Sequence, residues 1–265
     1  MELRKTLLRM SCLGHEGNLQ SCFSSLEILW TLYDKVLQVS PGTWRDRFIL
    51  SKGQANAALL AVLAKKGFLP EKELDTFCQY DSRVAMQADR TKLPCVEVSA
   101  GSLGHGLPVC VGMAWAAKIQ KRRGRFFVLV GDGEMNEGTM WEAALFAASE
   151  RLDNLVVIID ENGSAGHMIN MGSLEAKMGS FGFETVTVDG HNEASMEKVL
   201  SVYYSRPCAI IAKTMRGYGC RTLMEDGSWF HRFPTAEELP HLMEEVDRYF
   251  AEEDRGEKKN GPYCI

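Results

Sequence analysis

The apolar residues of this chain follow two alternating patterns. Short runs rich in apolar and β-branched residues, typical of strands, cover residues 45–50, 126–130, 155–159, 183–189 and 208–214. Apolar residues at helical spacing occur in residues 3–13, 26–36, 51–66, 107–119, 138–151, 193–204 and 234–250. Ser24 and Ser25 are predicted to begin the second of these helices. The alternation predicts an α/β fold in which right-handed crossovers join the strands into one mostly parallel sheet.

Polar side chains follow two of the predicted strands. Asp132, flanked by two glycines, comes directly after residues 126–130, and Asn162 follows residues 155–159. Because neighbouring parallel strands end at the same edge of a sheet, we expect these two side chains to lie together there. The glycines before helix 138–151 would let backbone N–H groups approach a phosphate, and the oxygen-rich side chains suit Mg²⁺. Taken alone, a glycine turn after a strand is more often only a turn.

Composition and charge narrow the class of protein. The 265 residues include 45% hydrophobic and 25% charged residues, which predicts a chain with a sizeable core in one large or two small domains. The formal net charge of −5 gives no basic footprint for nucleic acid. We expect a cytoplasmic protein, since the first residues do not resemble a signal peptide and no apolar run approaches a membrane span. The eight scattered cysteines favour small buried residues over disulfides or zinc ligands.

The string GDGEMNEGTMWEAALFAASERLDNLVVIIDENG, which contains both polar clusters, resembles the transketolase family in detail, and its Gly-Asp-Gly and Asn ends resemble the thiamine diphosphate motif. The resemblance implies thiamine diphosphate and Mg²⁺ as cofactors. It further implies that Asp132, Asn162 and the carbonyl of Ser164 are metal ligands, and we call these three residues the clamp. The implied fold is doubly wound, with helices on both faces of the sheet, and the implied reaction is transfer of a two-carbon ketol unit from a ketose to an aldose.

Other motifs of the family assign further roles by resemblance. His15, in a glycine-flanked loop, and His231, which follows Trp229, are expected to face the substrate as catalytic residues, and Glu137 resembles a residue at the family's subunit interface. Phe230 intervenes in the family's Trp-His pattern, so the register at His231 is open by one residue. Cofactor contacts are implied for Gly101, Ser102, Leu103, Gly133, Asn162, Gln54 and His231.

Several positions depart from the family's pattern. Gln54 and Gln87 stand where the family has histidines, Glu16 replaces a proline, and His105 replaces a glutamine. Two titratable groups have thus become neutral amides that cannot gain or lose a proton near neutral pH. We interpret these changes as a substrate pocket that differs from that of ordinary transketolases, although His105 on its own is more often a helix-start residue.

The resemblance covers residues 1–250, which we expect to form the diphosphate-binding domain, and residues 251–265 are expected to be a charged, mobile tail. The family's pyrimidine-binding and C-terminal domains have no counterpart in this sequence. We therefore expect a partner chain that carries them, in an α₂β₂ assembly. Two other readings stay open: a subunit of a 2-oxo acid dehydrogenase or decarboxylase that uses the same cofactor, and a non-catalytic paralogue.

Overall fold

The computed structural model describes residues 1–38, 46–167 and 169–256. These residues belong to two compact units, each built from separate stretches of the chain. The first unit comprises Met1–Leu26, Gln54–Met86 and Met215–Ile265, and the second comprises Glu27–Gly53 and Gln87–Thr214. The assignment of residues 1–250 to one domain stays a prediction.

Parallel strands form the sheet of the second unit. The strands of the described residues are β1 (Arg47–Leu50), β2 (Phe126–Gly131), β3 (Leu155–Glu161), β4 (Glu184–Asp189) and β5 (Cys208–Lys213). They lie in the order β1-β2-β3-β5-β4, and each neighbouring pair is parallel. All five predicted strands are therefore confirmed, while Arg45, placed at the start of the first one, lies outside the described residues.

Helices flank this sheet and build most of the first unit. The α-helices of the described residues are α1 (Glu2–Gly14), α2 (Leu19–Thr31), α3 (Asn56–Lys65), α4 (Gly106–Ile119), α5 (Gly138–Ser149), α6 (Leu174–Phe181), α7 (Glu193–Leu200), α8 (Arg221–Glu225) and α9 (Leu239–Asp254). A π-helical turn, Leu32–Val36, follows α2. Shorter 3-10 turns cover Gly53–Ala55, Glu71–Thr76, Gly133–Asn136, Ser164–His167 and Gly227–Phe230.

Both faces of the sheet are buried, as the near-continuous apolar strands predict. Val128 and Val157 belong to the core that also contains the inner residues of α4, α5 and α6. Their neighbours Phe127 and Ile158 point to the opposite face and are equally inaccessible to solvent. This double burial is typical of α/β sheets and confirms the predicted fold class.

The sequence prediction for the second helix was wrong at its start. The structure begins α2 at Leu19, so Ser24 and Ser25 lie inside the helix. Both hydroxyls donate back to the carbonyl oxygen of Ser21, at 3.1 and 2.9 Å. Such hydrogen bonds satisfy buried serine hydroxyls inside a helix. Serines at these positions can therefore be mistaken for residues that begin a helix.

Helix α6 was not predicted, and it is only eight residues long. About two turns show too little periodicity to stand out in the sequence. Its ends are nevertheless marked, because the Ser173 side chain accepts a hydrogen bond from Ala176 N at 3.0 Å and Gly182 has a φ of +103°. Such caps are the signal from which this helix could have been found.

The last helix begins and ends later than predicted. Residues 236–238 form a turn, and α9 starts at Leu239, with Pro240 in its first turn. Proline has no N–H to donate to the residue four positions earlier, so it fits only in the first turn of a helix. Pro240 therefore indicates a helix that starts immediately before it. At its other end α9 continues to Asp254, four residues into the stretch predicted as a tail. Residues 257–265 of that stretch lie outside the described residues.

The described cysteines are all free thiols. Burial raises the pKa of Cys208 and of Cys220 to about 12, and that of Cys78 to about 11. A thiol whose pKa is raised in this way has almost no thiolate at neutral pH and is a poor nucleophile. Cys208 and Cys220 fit the small-buried-residue interpretation, whereas Cys78 is only half-buried.

Candidate functional site

Asp132 and Asn162 come to the same edge of the sheet, as the strand pattern predicts. Gly131 at the end of β2 pairs with Asp160 of β3, so the two side chains follow neighbouring strand ends. Asp132 is 2% exposed and Asn162 is 6% exposed. Oδ1 of Asp132 accepts a hydrogen bond from Gly133 N at 2.7 Å, which fixes the carboxylate at the start of the next turn.

The 3-10 turn Ser164–His167 completes the clamp. Ala165 N donates to Oδ2 of Asp132 at 3.2 Å. Oδ1 of Asn162 accepts hydrogen bonds from Ser164, at 3.1 Å from its backbone N and 2.5 Å from its hydroxyl. The structure therefore ties the predicted metal ligands to one turn.

The electrostatics of Asp132 suit a bound cation. Burial raises the pKa of the Asp132 carboxyl, and the charge of Asp160 raises it further, whereas the hydrogen bond from Ala165 and the charge of Lys52 oppose the rise. Within the described residues, no Lys, Arg or His forms an ion pair with Asp132. An ionised carboxylate that is buried without a paired cation is costly, and a metal ion would offset that cost.

In residues 1–38, 46–167 and 169–256, no three or more His, Cys, Asp or Glu side chains are grouped so that they could hold a metal ion. A metal at the clamp would therefore bind one carboxylate together with neutral amide and carbonyl oxygens. That donor set is poor for zinc but suits Mg²⁺, which takes few protein ligands and shares the rest with water and phosphate.

A buried ion pair lies beside the clamp and was not predicted from the sequence. Lys52, just after β1, is 4% exposed and pairs with Asp160, which is fully buried. The other oxygen of Asp160 accepts a hydrogen bond from Thr214, and Asn162 Nδ2 lies 3.5 Å from the oxygen that pairs with Lys52. Asp160 thus orients the amide of Asn162, with its oxygen end away from the carboxylate. A lysine two residues after one strand and an aspartate within another were the available signal.

The loop with the predicted cofactor contacts, residues 101–103, lies in the same unit as the clamp. It leads into α4, and its exit is held by a hydrogen bond from Gly104 N to Glu134 Oε1 at 2.8 Å. The Gln87 side chain packs on this loop, since a Cβ at Gly101 would lie 2.9 Å from Gln87 Oε1. A side chain at position 101 would require the Gln87 side chain to shift, and Gln87 lies beside the predicted cofactor loop.

His105 and Glu137 are both exposed helix-start residues. His105 precedes α4, and its Nδ1 lies 3.2 Å from the carbonyl oxygen of Leu103. Glu137 precedes α5, but its side chain makes no capping hydrogen bond. The geometry of His105 agrees with the helix-start interpretation, and the exposed Glu137 carboxylate leaves its assignment to a subunit interface a prediction.

The two predicted catalytic histidines lie on packed loops of the first unit. His15 ends α1 with a left-handed φ of +53°, and its ring stacks on Phe233 at 5.1 Å. Asn18 N donates to the carbonyl oxygen of Phe230 at 3.1 Å, which joins the His15 loop to the His231 loop. Both imidazoles are on exposed residues. The structure therefore brings these two histidines into one region of the first unit.

Gln54 also belongs to the first unit, in the turn Gly53–Ala55, where its carbonyl oxygen accepts a hydrogen bond from Cys22 Sγ at 3.3 Å. Gly133 and the clamp belong to the second unit. That all these residues contact one cofactor stays a prediction. The side chain of His167 lies outside the described residues.

Comparison with known proteins gives this geometry a family context. Residues 10–238 match the family model described as "Transketolase, thiamine diphosphate binding domain". The chain is 36% identical over 244 residues to an Actinobacillus succinogenes protein named as one subunit of an apulose-4-phosphate transketolase, covering 88% of this chain and 87% of that protein. It is 41% identical over 212 residues to a Rhodococcoides fascians protein named Ferredoxin fas2, covering 77% of this chain and 68% of that protein.

Among solved structures, transketolase from Campylobacter jejuni superimposes with a TM-score of 0.80 and 27% identity. The match covers 94% of this chain but only 41% of that one. The chain therefore spans less than half of the solved transketolase chain it matches and most of the Actinobacillus succinogenes relative. None of the helices in the ranges described combines the length and apolar character that crossing a membrane requires.

Proposed function

Because the chain belongs to the transketolase family, we propose that it is the diphosphate-binding subunit of a two-chain enzyme that transfers a two-carbon ketol unit from a ketose to an aldose. The observation that carries the proposal is the contrast in coverage. The chain matches nearly nine-tenths of a relative that is itself named as one subunit of a transketolase, and two-fifths of the solved Campylobacter jejuni transketolase chain.

The proposed metal is Mg²⁺, held by Asp132, Asn162 and the carbonyl of Ser164. Asp132 fits this role because it is buried and forms no ion pair within the described part of the chain. Asn162 fits because Asp160 holds the nitrogen end of its amide and Ser164 lies at the oxygen end. The hydrogen bonds within the clamp would hold these ligands in place before the metal binds.

Thiamine diphosphate, when bound, would supply the electron sink for breaking and making the carbon–carbon bond beside a ketose carbonyl. In our proposal, the backbone of residues 101–103 and of Gly133 lines the diphosphate end, with Asn162, Gln54 and His231 as further contacts. His15 and His231 would face the sugar, where exposed imidazoles can donate hydrogen bonds to hydroxyl groups.

We propose a partner subunit that carries the pyrimidine-binding and C-terminal domains, with Glu137 at the interface and two copies of each chain in the complex. The exposed Glu137 carboxylate at the start of α5 is available for such a contact. We also propose a cytoplasmic location, which the free thiols of the described cysteines support, because disulfides are rare in that compartment.

The test is an assay of the purified two-chain complex with Mg²⁺ and thiamine diphosphate, using a panel of ketose donors with aldose acceptors and a parallel panel of 2-oxo acids. We expect ketol transfer between sugars. Turnover of 2-oxo acids alone would instead support a dehydrogenase or decarboxylase subunit. Cofactor binding without turnover of either panel would support the non-catalytic reading.

Restoring the family's histidines should change which sugars are used. We expect Gln54→His with Gln87→His to alter the ratio of kcat/KM between two donor sugars by about tenfold or more, because hydrogen bonds to a substrate discriminate strongly. The new imidazoles should also add an inflection near about pH 6.5 to the pH–rate profile, since an amide does not titrate there. Gln79→His, at an exposed position of the first unit, is the matched control. An unchanged donor ratio and pH profile would show that positions 54 and 87 do not set specificity.

A further inference from the structure

Glu134 is a buried carboxylate that the family resemblance leaves without a role. It lies in the turn Gly133–Asn136, is 2% exposed, and forms no ion pair within the described ranges. Its Oε1 accepts hydrogen bonds from Gly104 N at 2.8 Å and from the Ser51 hydroxyl, and its Oε2 accepts one from Gly131 N at 3.3 Å. Burying a carboxylate with hydrogen-bond donors but no paired cation costs free energy. A residue retained at that cost indicates a role for the hydrogen bonds that it accepts.

The three donors belong to three different segments of the second unit. Ser51 follows β1, Gly131 ends β2, and Gly104 precedes α4. The Ser51 hydroxyl also accepts a hydrogen bond from Gly106 N at 3.0 Å, so that the start of α4 is attached to the same network. Glu134 is therefore the point at which two strand ends and the exit of loop 101–103 are joined.

Gly104 is held at both of its backbone groups. Its N–H donates to Glu134, and its carbonyl oxygen accepts a hydrogen bond from Thr139 Oγ1 at 2.8 Å. It has a φ of +80°, and a Cβ there would lie 2.8 Å from the Cβ of Glu137. The backbone at the end of loop 101–103 consequently has little freedom to shift while these two contacts are present.

We propose that Glu134 is a positioning residue that fixes the cofactor loop 101–103 against the strand end that carries Asp132. The assignment of that loop to a cofactor rests on the proposed function, whereas the positioning itself does not. Glu134 acts through Gly104, Gly131 and Ser51, and its carboxylate needs no contact with the cofactor. An apolar residue could fill the same space but would leave three buried donors without an acceptor.

The first test measures hydrogen exchange of the backbone amides in the full chain without cofactor. In Glu134→Ala we expect the Gly104 and Gly131 amides to exchange at least about tenfold faster. We expect little change in α7, which follows β4, the last strand in the order of the sheet. The matched control is Asp46→Ala. Asp46 is also a buried carboxylate of the second unit that accepts a hydrogen bond from a backbone N–H, that of Arg125, at 2.7 Å. It precedes β1, however, and so lies at the amino ends of the strands, away from Glu134. Equal acceleration of Gly104 in both variants would mean general loosening and would overturn the proposal.

Glu134→Gln keeps the proposal testable if the alanine variant does not fold. A glutamine retains one oxygen for Gly104 and Ser51 but places an NH₂ group against Gly131 N. We expect at least about tenfold faster exchange at Gly131, with Gly104 changed by less than about threefold. Unchanged exchange at both amides would overturn the proposal.

The second test separates this proposal from the proposed function. In the two-chain complex with saturating Mg²⁺, we expect Glu134→Ala, which removes both oxygens, to weaken thiamine diphosphate binding by about tenfold, a size typical of residues that orient the ligands of a site. If the unmodified complex binds no thiamine diphosphate, the proposed function fails while the exchange result stands. If binding is unchanged in Glu134→Ala, the positioning proposal fails and the proposed function stands.

Discussion

Asp132→Ala is expected to weaken Mg²⁺-dependent thiamine diphosphate binding to the two-chain complex by more than about 100-fold, since even groups that only orient metal ligands contribute about 10- to 100-fold. The physical reason is that Asp132 is the one carboxylate of the proposed ligand set. Without it the site offers neutral oxygens alone, which hold Mg²⁺ poorly. Titration calorimetry with and without Mg²⁺ measures the effect directly.

The fold should survive this substitution. Alanine leaves the N–H groups of Gly133 and Ala165 without their acceptor, but it also removes a buried carboxylate that has no paired cation in the described part of the molecule. We expect the free energy of unfolding to change by less than about 2 kcal/mol. The matched control is Asp189→Ala, because Asp189 ends β4 and accepts a hydrogen bond from His191 N at 2.9 Å without belonging to the clamp. Retained Mg²⁺-dependent binding in Asp132→Ala would refute the metal assignment.

Lys52→Met is expected to have the largest effect on stability. It removes the cation from the pair with Asp160 and leaves that carboxylate buried among apolar strands. Breaking a buried pair by deleting one partner costs about 3–5 kcal/mol, and the hydrogen bond from Thr214 offsets only part of it. Urea denaturation of the isolated chain, followed by circular dichroism, gives the change in the free energy of unfolding.

Two further variants decide whether the lost charge is the cause. Combining Lys52→Met with Asp160→Asn should recover more than half of the loss, since neither charge of the pair then remains buried. Lys213→Met breaks the more exposed pair with Glu161 at the end of the neighbouring strands and should cost less than about 1 kcal/mol. If the double variant is no more stable than Lys52→Met alone, the loss comes from packing of the lysine side chain.

The strand ends were the most predictable part of this molecule. An apolar run that ends at glycine and aspartate shows where a buried strand stops. Because parallel strands end at the same edge of a sheet, the pattern of residues alone places Asp132 and Asn162 at one edge. Helix limits were less predictable. The buried serines in α2 and Pro240 in α9 each led to a wrong boundary, and α6 was too short to be predicted from periodicity at all.

The support beneath the clamp could not be predicted in the same way. Lys52 and Asp160 are 108 positions apart, and Ser51 and Glu134 are 83 apart. Their meeting depends on the register of β1 against β2 and of β2 against β3, which no single segment encodes. Resemblance could not supply them either, because it assigns residues that touch ligands and is silent on residues that act through others.

The first unit contains both ends of the described chain, with α1 packed against α9. During synthesis, every residue of the second unit has been added once Thr214 is in place, whereas α8, α9 and the His231 loop have yet to be made. Domains generally fold as units as the chain emerges from the ribosome. The clamp residues therefore leave the ribosome before the segment on which the His15 loop packs, and the order of synthesis places the metal site before the histidine pair.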